Sequence, residues 1–272
     1  MRLPVNKTYK LYVGGEFPRS ESGRSYEVDG ANIARASKKD VRDAVRAARA
    51  AFPGWAGKAA MNRGQVLYRV AEIMEGRRAQ FAELAGGQSE VDEAVDTWVW
   101  YAGWADKLAQ VLGSSNPVAG QYFNFTVPEP TGVVGIVAPE EPPLAALVER
   151  LAPAIVGGNA AVVVAAERRP LAAVTLAEAL ATSDVPGGVV NLLSGRRAEL
   201  AEALAAHPGV NAIVDASGDE ALGAEIDKLA AESVTRVRHA SATASYGDAT
   251  ADPLSRLEAV TELKTAWHPV GA

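Results

Sequence analysis

The chain has 272 residues, a length that accommodates one or two domains with a buried core. Its 27 Lys and Arg residues against 33 Asp and Glu residues give a net charge of -6, so nucleic acid is not an expected partner. The sequence contains no cysteine, which excludes disulfides, cysteine-ligated zinc, iron–sulfur clusters and a thiolate nucleophile.

The apolar runs of the sequence argue against a membrane protein. Residues 1–15 lack the basic stretch and the apolar core of a signal peptide. No window reaches the roughly 18 uncharged apolar residues that a spanning helix requires. The sequence therefore predicts a soluble, cytoplasmic protein with no membrane partner.

The first part of the chain, up to about residue 112, has the apolar spacing of amphipathic helices after an extended segment at residues 10–13. Three faces carry apolar side chains three or four residues apart: Val41, Ala44, Val45, Ala48 and Phe52; Val66, Leu67, Val70, Ile73 and Met74; Val91, Val95, Trp98, Ala102, Ala105 and Leu108. Each face predicts one helix that packs against a core.

The next part alternates short apolar runs with further helical faces. The runs are residues 132–139, 160–166, 188–195, 211–217 and 234–241. The helical faces between them are Leu144, Leu147, Val148, Leu151 and Ile155; Val174, Ala177 and Leu180; Leu200, Ala203 and Leu204; Leu222, Ile226 and Leu229. Strands that are apolar throughout and separated by helices predict an α/β fold with a doubly wound parallel sheet of the nucleotide-binding type.

Two segments that flank this part alternate apolar and polar residues, which predicts half-buried antiparallel strands. The first is residues 121–127, with Phe123, Phe125 and Val127 on one face. The second is residues 256–269, with Leu257, Ala259, Leu263 and Trp267 on one face. The small and polar residues between 240 and 254 predict a linker.

Motifs of several common enzyme classes do not occur in the sequence. It has no G-x-G-x-x-G string, P-loop, G-x-S-x-G elbow, H-E-x-x-H motif or EF-hand loop. His207, His239 and His268 each lack a second ligand at helical spacing. We therefore predict no metal site and assign the histidines to capping or surface positions.

Several strings of this sequence resemble signatures of the aldehyde dehydrogenase family, and they occur in the family's order. They are KLYVGGEF (10–17), DVRDAVRAARAAFPGWA (40–56), RGQVLYRVAEIM (63–74), YAGWADKL (101–108), EPTGVVGIVAP (129–139), LAPAIVGGNAAVV (151–163) and VPGGVVNLLSG (185–195). The resemblance covers residues 8 to about 240 and resumes at 257–267, which is similar to the family's oligomerisation strand. It implies the family's Rossmann-like cofactor domain with amino-terminal helices and a small antiparallel oligomerisation arm.

The resemblance implies NAD(P)-dependent oxidation of an aldehyde through a cysteine thiohemiacetal, with an asparagine amide on the oxyanion and a glutamate that activates water. At the matching positions this sequence has Glu141 instead of the amide, Val164 instead of a lysine that contacts the cofactor ribose, and Val237 instead of the glutamate. The cysteine and its motif have no counterpart. We therefore expect no catalytic residues and no enzyme activity of the chain on its own.

The resemblance also implies that the family's catalytic domain is absent, because the chain passes from the fifth sheet strand to the closing arm strand. We assign residues 1–120 and 136–245 to a cofactor-type α/β domain, and residues 121–135 and 253–272 to the oligomerisation arm. In the family this arm builds the subunit interface. Residues 121–135 and 257–268 are therefore predicted to pair with a partner.

The resemblance suggests four candidate cofactor-binding residues: Glu167 near the adenosine ribose, Gly195 after the third strand, and Gly218 and Gly223 in the counterpart of the pyrophosphate loop. Asp219 and Glu220 stand where a phosphate would meet a helix N-terminus, and they are expected to satisfy the helix dipole themselves. Arg196 and Arg197 either offset that charge or cap the next helix. We therefore expect no bound cofactor, and a vestigial NAD(P) site is the alternative.

Three hypotheses on function follow. In the first, the chain is a pseudoenzyme subunit that binds an active, full-length aldehyde dehydrogenase in a hetero-oligomer, similar to the non-catalytic copy of two-copy family members. In the second, it is an NAD(P)-binding oxidoreductase or cofactor sensor with Glu140 and Glu141 as acid–base groups, against a solvated turn as the alternative for these residues. In the third, it is a homodimer without a dehydrogenase partner.

Overall fold

The computed structural model describes Leu3, residues 7–240 and residues 253–271. The strands are β1 (Thr8–Tyr9), β2 (Ser25–Val28), β3 (Ala31–Ala34), β4 (Ser114–Asn116), β5 (Tyr122–Pro130), β6 (Val133–Val137), β7 (Ala160–Val164), β8 (Val190–Leu193), β9 (Ala212–Asp215), β10 (Arg236–His239) and β11 (Thr261–Pro269). The helices are α1 (Lys38–Ala56), α2 (Ala60–Gly76), α3 (Arg78–Leu84), α4 (Gln88–Ala102), α5 (Leu108–Leu112), α6 (Ala145–Val156), α7 (Pro170–Leu180), α8 (Arg197–Ala205), α9 (Glu220–Ala231) and α10 (Pro253–Glu258).

The predicted parallel sheet is confirmed. Within the described ranges it has five strands in the order β10-β9-β6-β7-β8, and every pair of neighbours is parallel. All residues of β6, β7, β8 and β9 are buried, as the apolar runs predict.

Helices cover both faces of this sheet, which makes it doubly wound. Val134 and Ile136 of β6 face a core formed with α2, α4, α6 and α7. Val133 and Val137 of the same strand face a second core formed with α1, α8 and α9. Alternate residues of one strand therefore serve two cores, which explains why the strand shows no polar alternation in sequence.

The amino-terminal segment lies along the outer side of β8. Tyr12 donates its backbone N–H to the Leu192 carbonyl at 3.0 Å and accepts from the Leu192 N–H at 2.6 Å. The Gly14 N–H donates to the Asn191 side chain at 2.9 Å. The extended segment predicted at residues 10–13 is thus an isolated bridge to the sheet, and the first regular strand, β1, precedes it.

Helix α1 begins with a capping box. The Ser37 side chain accepts from the Lys39 N–H, and the Asp40 carboxylate accepts from the Ser37 N–H at 2.7 Å. Asp40 also accepts from the Ser20 hydroxyl at 2.8 Å. The start of the helix is therefore fixed to the loop that precedes β2.

The third predicted helix is wrong beyond residue 102. Helix α4 ends at Ala102, and Gly103 closes it with N–H bonds to Val99 and Tyr101. The backbone then turns through bonds from Trp104 to Tyr101 and from Lys107 to Trp104 before α5 begins. Because tight turns can also bring apolar residues to one side, the spacing of Ala105 and Leu108 was not specific for one continuous helix.

A second sheet forms the predicted arm. In the part of the chain that the structure describes it has three antiparallel strands in the order β11-β5-β4. Strand β11 pairs with the whole of β5, from Thr261 opposite Pro130 to Pro269 opposite Tyr122. The predicted arm range 121–135 also contained Val133, Val134 and Gly135, which pair with β7 or β9 in the parallel sheet.

The strand predicted at residues 256–269 is too long. Leu257 belongs to helix α10, where it is fully buried against the core that contains α6, and Val260 is buried three residues later. That spacing of three is helical, whereas the alternation from Leu257 to Leu263 had indicated a strand. Most of the predicted linker, residues 241–252, lies outside the described residues.

Candidate functional site

The candidate site lies at the carboxyl edge of the parallel sheet, which we define as the last residues of β6 to β10 and the residues that directly follow them. All five strands end at this edge because they are parallel. Ligands of doubly wound folds bind at this edge. The charged residues there fall into two groups, one after β6, β7 and β8 and the other after β9 and β10.

Glu140 contacts residues from both of the other loops in the first group. Its carboxylate accepts from the backbone N–H groups of Glu167 at 3.2 Å and Arg168 at 3.0 Å. Nη1 of Arg197 lies 3.1 Å from Oε1 of Glu140, and the side chain of Glu140 is only 13% exposed. The prediction of a solvated turn is therefore wrong for Glu140, because its charge is held by donors from two other loops.

Glu141 differs from its neighbour. Its side chain is 58% exposed and forms an ion pair with Arg169 at 3.1 Å. Arg169 also donates to the Ala85 carbonyl at 3.0 Å. The surface position predicted for this turn therefore describes Glu141 alone.

Glu167, a candidate ribose-binding residue, is already engaged by the chain itself. It accepts from Nη1 of Arg196 at 2.5 Å and from the Arg197 N–H at 2.8 Å. Burial raises the pKa of Glu167, but the hydrogen bonds from Arg196 and Arg197 outweigh burial, so the net pKa is below its ordinary value. Both arginines therefore bind carboxylates that follow β6 and β7, instead of offsetting the charge that follows β9.

Gly195, the second candidate, is needed for a close approach within the chain. It has φ +154°, and a side-chain carbon there would lie 3.1 Å from the Ala36 nitrogen and 3.1 Å from Leu200. The neighbouring Ser194 carbonyl accepts from the Ala36 N–H at 2.8 Å. The glycine thus lets the loop before α1 pack onto the carboxyl edge.

Gly218 and Asp219 lead into helix α9. Gly218 has the left-handed φ of +67°. Asp219 is the N-cap, and its carboxylate accepts from the N–H groups of Ala221 and Leu222, both at 3.1 Å. The prediction that this acidic residue satisfies the helix N-terminus is confirmed.

His239 forms the centre of the second group. Its Nδ1 lies 3.1 Å from Asp215, and its Nε2 lies 2.9 Å from Asp227 of α9. Burial lowers the pKa of His239, but the hydrogen bonds to Asp227 and Asp215 raise it more, so the net pKa is above its ordinary value. A depression of about 490 Å³ beside this histidine is lined by Asp215, Gly218, Asp219, Glu220, Gly223 and Asp227.

Gly223 is adjacent to this histidine. A side-chain carbon at Gly223 would lie 3.2 Å from Cε1 of His239 and 3.4 Å from Oδ2 of Asp215. The space that the missing side chain leaves is thus occupied by the histidine of this chain. Sequence reasoning missed this cluster, although the positions of Asp215 and His239 at the last residues of β9 and β10 are a signal that could have indicated it.

The structure therefore divides the four candidate cofactor residues between the two groups. Glu167 and Gly195 contact the first, and Gly218 and Gly223 line the second. Val164, at the position implied for a lysine, is fully buried in the core with α1 and α8. Sequence reasoning did not identify Glu140 and Arg197 as partners, since they come from loops far apart in the chain.

The arm carries a second candidate surface. We define the arm patch as the exposed apolar side chains of β5 and β11: Tyr122, Phe123, Val127, Leu263 and Trp267. Trp267 is 59% exposed and Phe123 is 50% exposed. The rings of Tyr122 and Trp267 meet edge to face at 5.9 Å between centroids. The register of β5 and β11 places Tyr122, Leu263 and Trp267 on one face of this sheet and Phe123 and Val127 on the other, so the arm patch exposes apolar side chains on both faces of a sheet whose outer strand is β11.

Residues 7–240 and 253–271 contain no group of three His, Asp or Glu side chains that could hold a metal ion. Among the helices of these same ranges, none is long and apolar enough to cross a membrane.

Sequence comparisons agree with the fold. The sequence model of the aldehyde dehydrogenase family matches residues 25–242. The chain is 32% identical over 249 residues to the aldehyde dehydrogenase DhaS of Bacillus subtilis, covering 85% of this chain and 50% of that protein. It is 34% identical over 247 residues to human retinal dehydrogenase 2, covering 84% of this chain and 47% of that protein.

Solved structures show the same relationship. The NAD+ complex of an aldehyde dehydrogenase from Bacillus cereus superposes with a TM-score of 0.80 at 27% identity, over 85% of this chain and 50% of that one. HpcC from Thermus thermophilus superposes with a TM-score of 0.80 at 32% identity, over 85% of this chain and 47% of that one. The chain spans about half the length of the relatives it matches. With this coverage in sequence and fold, the chain belongs to the aldehyde dehydrogenase family.

Proposed function

We propose that this chain is a non-catalytic aldehyde dehydrogenase-like subunit that associates through its arm with an active NAD(P)-dependent aldehyde dehydrogenase and stabilises or regulates it. The observation that carries the proposal is the ordered arm sheet with its exposed arm patch, present in a chain that has no cysteine. The proposal concerns the chain as given, which covers only half of its relatives.

The residues at the carboxyl edge support a non-catalytic role. A thiolate nucleophile requires cysteine, and the sequence has none. Glu141 is a carboxylate at the position where the family resemblance implies an oxyanion donor. A negative charge there would repel a developing oxyanion, and even the loss of one donor costs roughly 100-fold to 1,000-fold in rate.

The same edge does not fit an anionic dinucleotide. The N–H groups at the start of α9, which could bind a pyrophosphate, are occupied by Asp219. Both oxygens of Glu167 already accept hydrogen bonds, one from the Arg196 guanidinium and one from the Arg197 N–H. These contacts support a role in which the fold serves as a scaffold and NAD(P) does not bind.

The arm supplies the surface for association. Strand β11 is paired with β5 on one side and has no strand on its other side within the described residues. Such an edge next to exposed aromatic side chains is a template for another polypeptide or for aggregation. A folded partner that covers the arm patch would remove that hazard and would stabilise both chains by mass action.

Co-expression with a full-length, cysteine-bearing aldehyde dehydrogenase of the same host tests the proposal. We expect native mass spectrometry to show a complex of fixed ratio, and aldehyde-dependent NAD reduction to come from the partner only. Replacing two residues of the arm patch, Phe123→Ser with Trp267→Ser, should abolish the complex. Tyr68→Ser, which changes an exposed aromatic residue on α2, should leave it intact.

Three outcomes contradict the proposal. A chain that stays monomeric beside the dehydrogenase has no partner role of this kind. A chain that forms only homodimers supports instead the hypothesis of a homodimer without a dehydrogenase partner. Equal loss of the complex in the arm and Tyr68 variants would show that the arm patch does not provide the contact.

A further inference from the structure

Glu140 lies in a set of donors that is typical of a bound anion. Two successive backbone N–H groups, those of Glu167 and Arg168, point at its carboxylate. The Arg197 guanidinium lies 3.1 Å from the same carboxylate, with a side chain that is only 16% exposed. Adjacent N–H groups together with a guanidinium are the donors by which proteins hold phosphates and carboxylates.

The charges around this point favour an anion. Arg168 approaches Glu140 at 3.7 Å between Nε and Oε2, which adds a second cation. Arg196 and Arg169 lie in the same two loops and pair with Glu167 and Glu141. Removal of the Glu140 carboxylate would therefore leave the Arg197 guanidinium, the half-buried N–H group of Glu167 and the exposed N–H group of Arg168 without their anionic partner.

We infer that Glu140 is an internal ligand of an anion-binding site, and that the vacated site would take a small oxyanion such as acetate or inorganic phosphate. The carboxylate connects the loop after β6 to the loop after β7 and, through Arg197, to the start of α8. One carboxylate of the chain thus holds together the segments that follow β6, β7 and β8. This inference is independent of the proposed subunit role, because it requires no partner.

The test measures thermal unfolding of purified Glu140→Ala in rising acetate or phosphate, against sodium chloride at equal ionic strength. We expect this variant to unfold several degrees below the unsubstituted chain, because the largely buried Arg197 guanidinium and the half-buried N–H group of Glu167 lose their anionic partner. Acetate and phosphate should restore part of that loss in a saturable manner, and chloride should not. The unsubstituted chain and Glu141→Ala should show no such difference between the salts.

Two further variants make the result specific. Adding Arg197→Met to Glu140→Ala should remove the anion response, because the guanidinium is part of the site. Glu140→Gln keeps the shape of the side chain, removes its charge and should fold where Glu140→Ala does not. It should respond to phosphate more weakly than Glu140→Ala does.

The inference is overturned by any of three results. One is a folded Glu140→Ala, or a folded Glu140→Gln if the alanine variant does not fold, that gains nothing from acetate or phosphate over chloride. Another is an equal gain in the unsubstituted chain, which would place the anion elsewhere. The third is a full response in the variant that also lacks Arg197.

Discussion

The side-chain amide of Asn159 donates to the Val260 carbonyl at 3.0 Å. It thereby connects the residue before β7 to the residue before β11. The same side chain accepts from the Gly132 N–H at 2.9 Å and donates to the Ala154 carbonyl at 2.8 Å. Asn159 is fully buried. One residue thus connects the end of α6, the start of β6 and the arm.

Replacement of this amide should destabilise the chain strongly. In Asn159→Ala, three backbone groups lose a buried partner, and each unsatisfied group costs about 1–3 kcal/mol. We expect a loss of several kcal/mol in the free energy of unfolding, measured by urea denaturation. Asn62→Ala, at an exposed position of α2, is the control and should change stability by less than about 0.5 kcal/mol. Similar losses for the two variants would contradict the role of Asn159.

A glycine pair tests the packing of α1 on the sheet. Gly188 has φ +89°, and a side-chain carbon there would lie 2.7 Å from the Ala47 carbonyl oxygen. Gly188→Ala should therefore lower the unfolding midpoint clearly, because both the backbone conformation and the contact are unfavourable. Gly54→Ala lies within α1 and meets open space. It should instead raise stability by up to about 1 kcal/mol.

The stability of the chain should depend on pH through His239. Its pKa in the folded chain is above the ordinary value of 6.5, because the bonds to Asp227 and Asp215 outweigh burial. A raised pKa stabilises the folded chain fully below about pH 6.5, and that stabilisation is lost as pH rises through the folded value. Because the side chain is 48% exposed, we expect less than about 1 kcal/mol.

Unfolding curves measured at several pH values check this expectation. The difference in stability between the unsubstituted chain and His239→Gln should shrink as pH rises above neutrality. His207→Gln is the opposite control, because burial lowers the pKa of His207 and so destabilises the folded chain as pH falls. A His239→Gln difference that stays constant with pH would exclude the ion pairs as its cause.

Calorimetric titration with NAD, NADH, NADP and NADPH tests the cofactor expectation. We expect no saturable binding, because Asp219 already accepts from the N–H groups at the start of α9 and Glu167 already accepts from Arg196 and Arg197. A cysteine-bearing family member titrated in parallel provides the positive control. Tight binding by this chain would favour the second sequence hypothesis, a cofactor sensor or oxidoreductase.

The sequence predicted the parallel sheet well because its strands are buried on both faces. Val133 to Val137 serve two cores, so β6 appears in the sequence as an uninterrupted apolar run. Boundaries were less well predicted where one spacing fits two structures. Ala105 packs in a turn, and Leu257 packs in a helix, although each fitted the periodicity of the element predicted for it.

The contacts of the candidate site were only partly predictable. Asp219 was recognised because an N-cap and its helix are neighbours in sequence. The ion pair of Glu140 with Arg197 depends on the order of β6, β7 and β8 in the sheet, and that of His239 with Asp227 depends on how α9 packs beside β10. Periodicity does not contain that information, since it reports burial and says nothing about strand order.

The amino-terminal segment that covers β8 limits where a further strand could add to the parallel sheet. Leu11 to Val13 shield one flank, so within the described residues only β10 has a free side. On that flank Arg236 pairs with Glu262 and His239 lies between Asp215 and Asp227, whereas Arg238 exposes its charge to solvent. The charge of Arg238 on this free edge strand opposes pairing with a second copy of the chain, so Arg238→Val should increase turbidity of the purified protein on concentration.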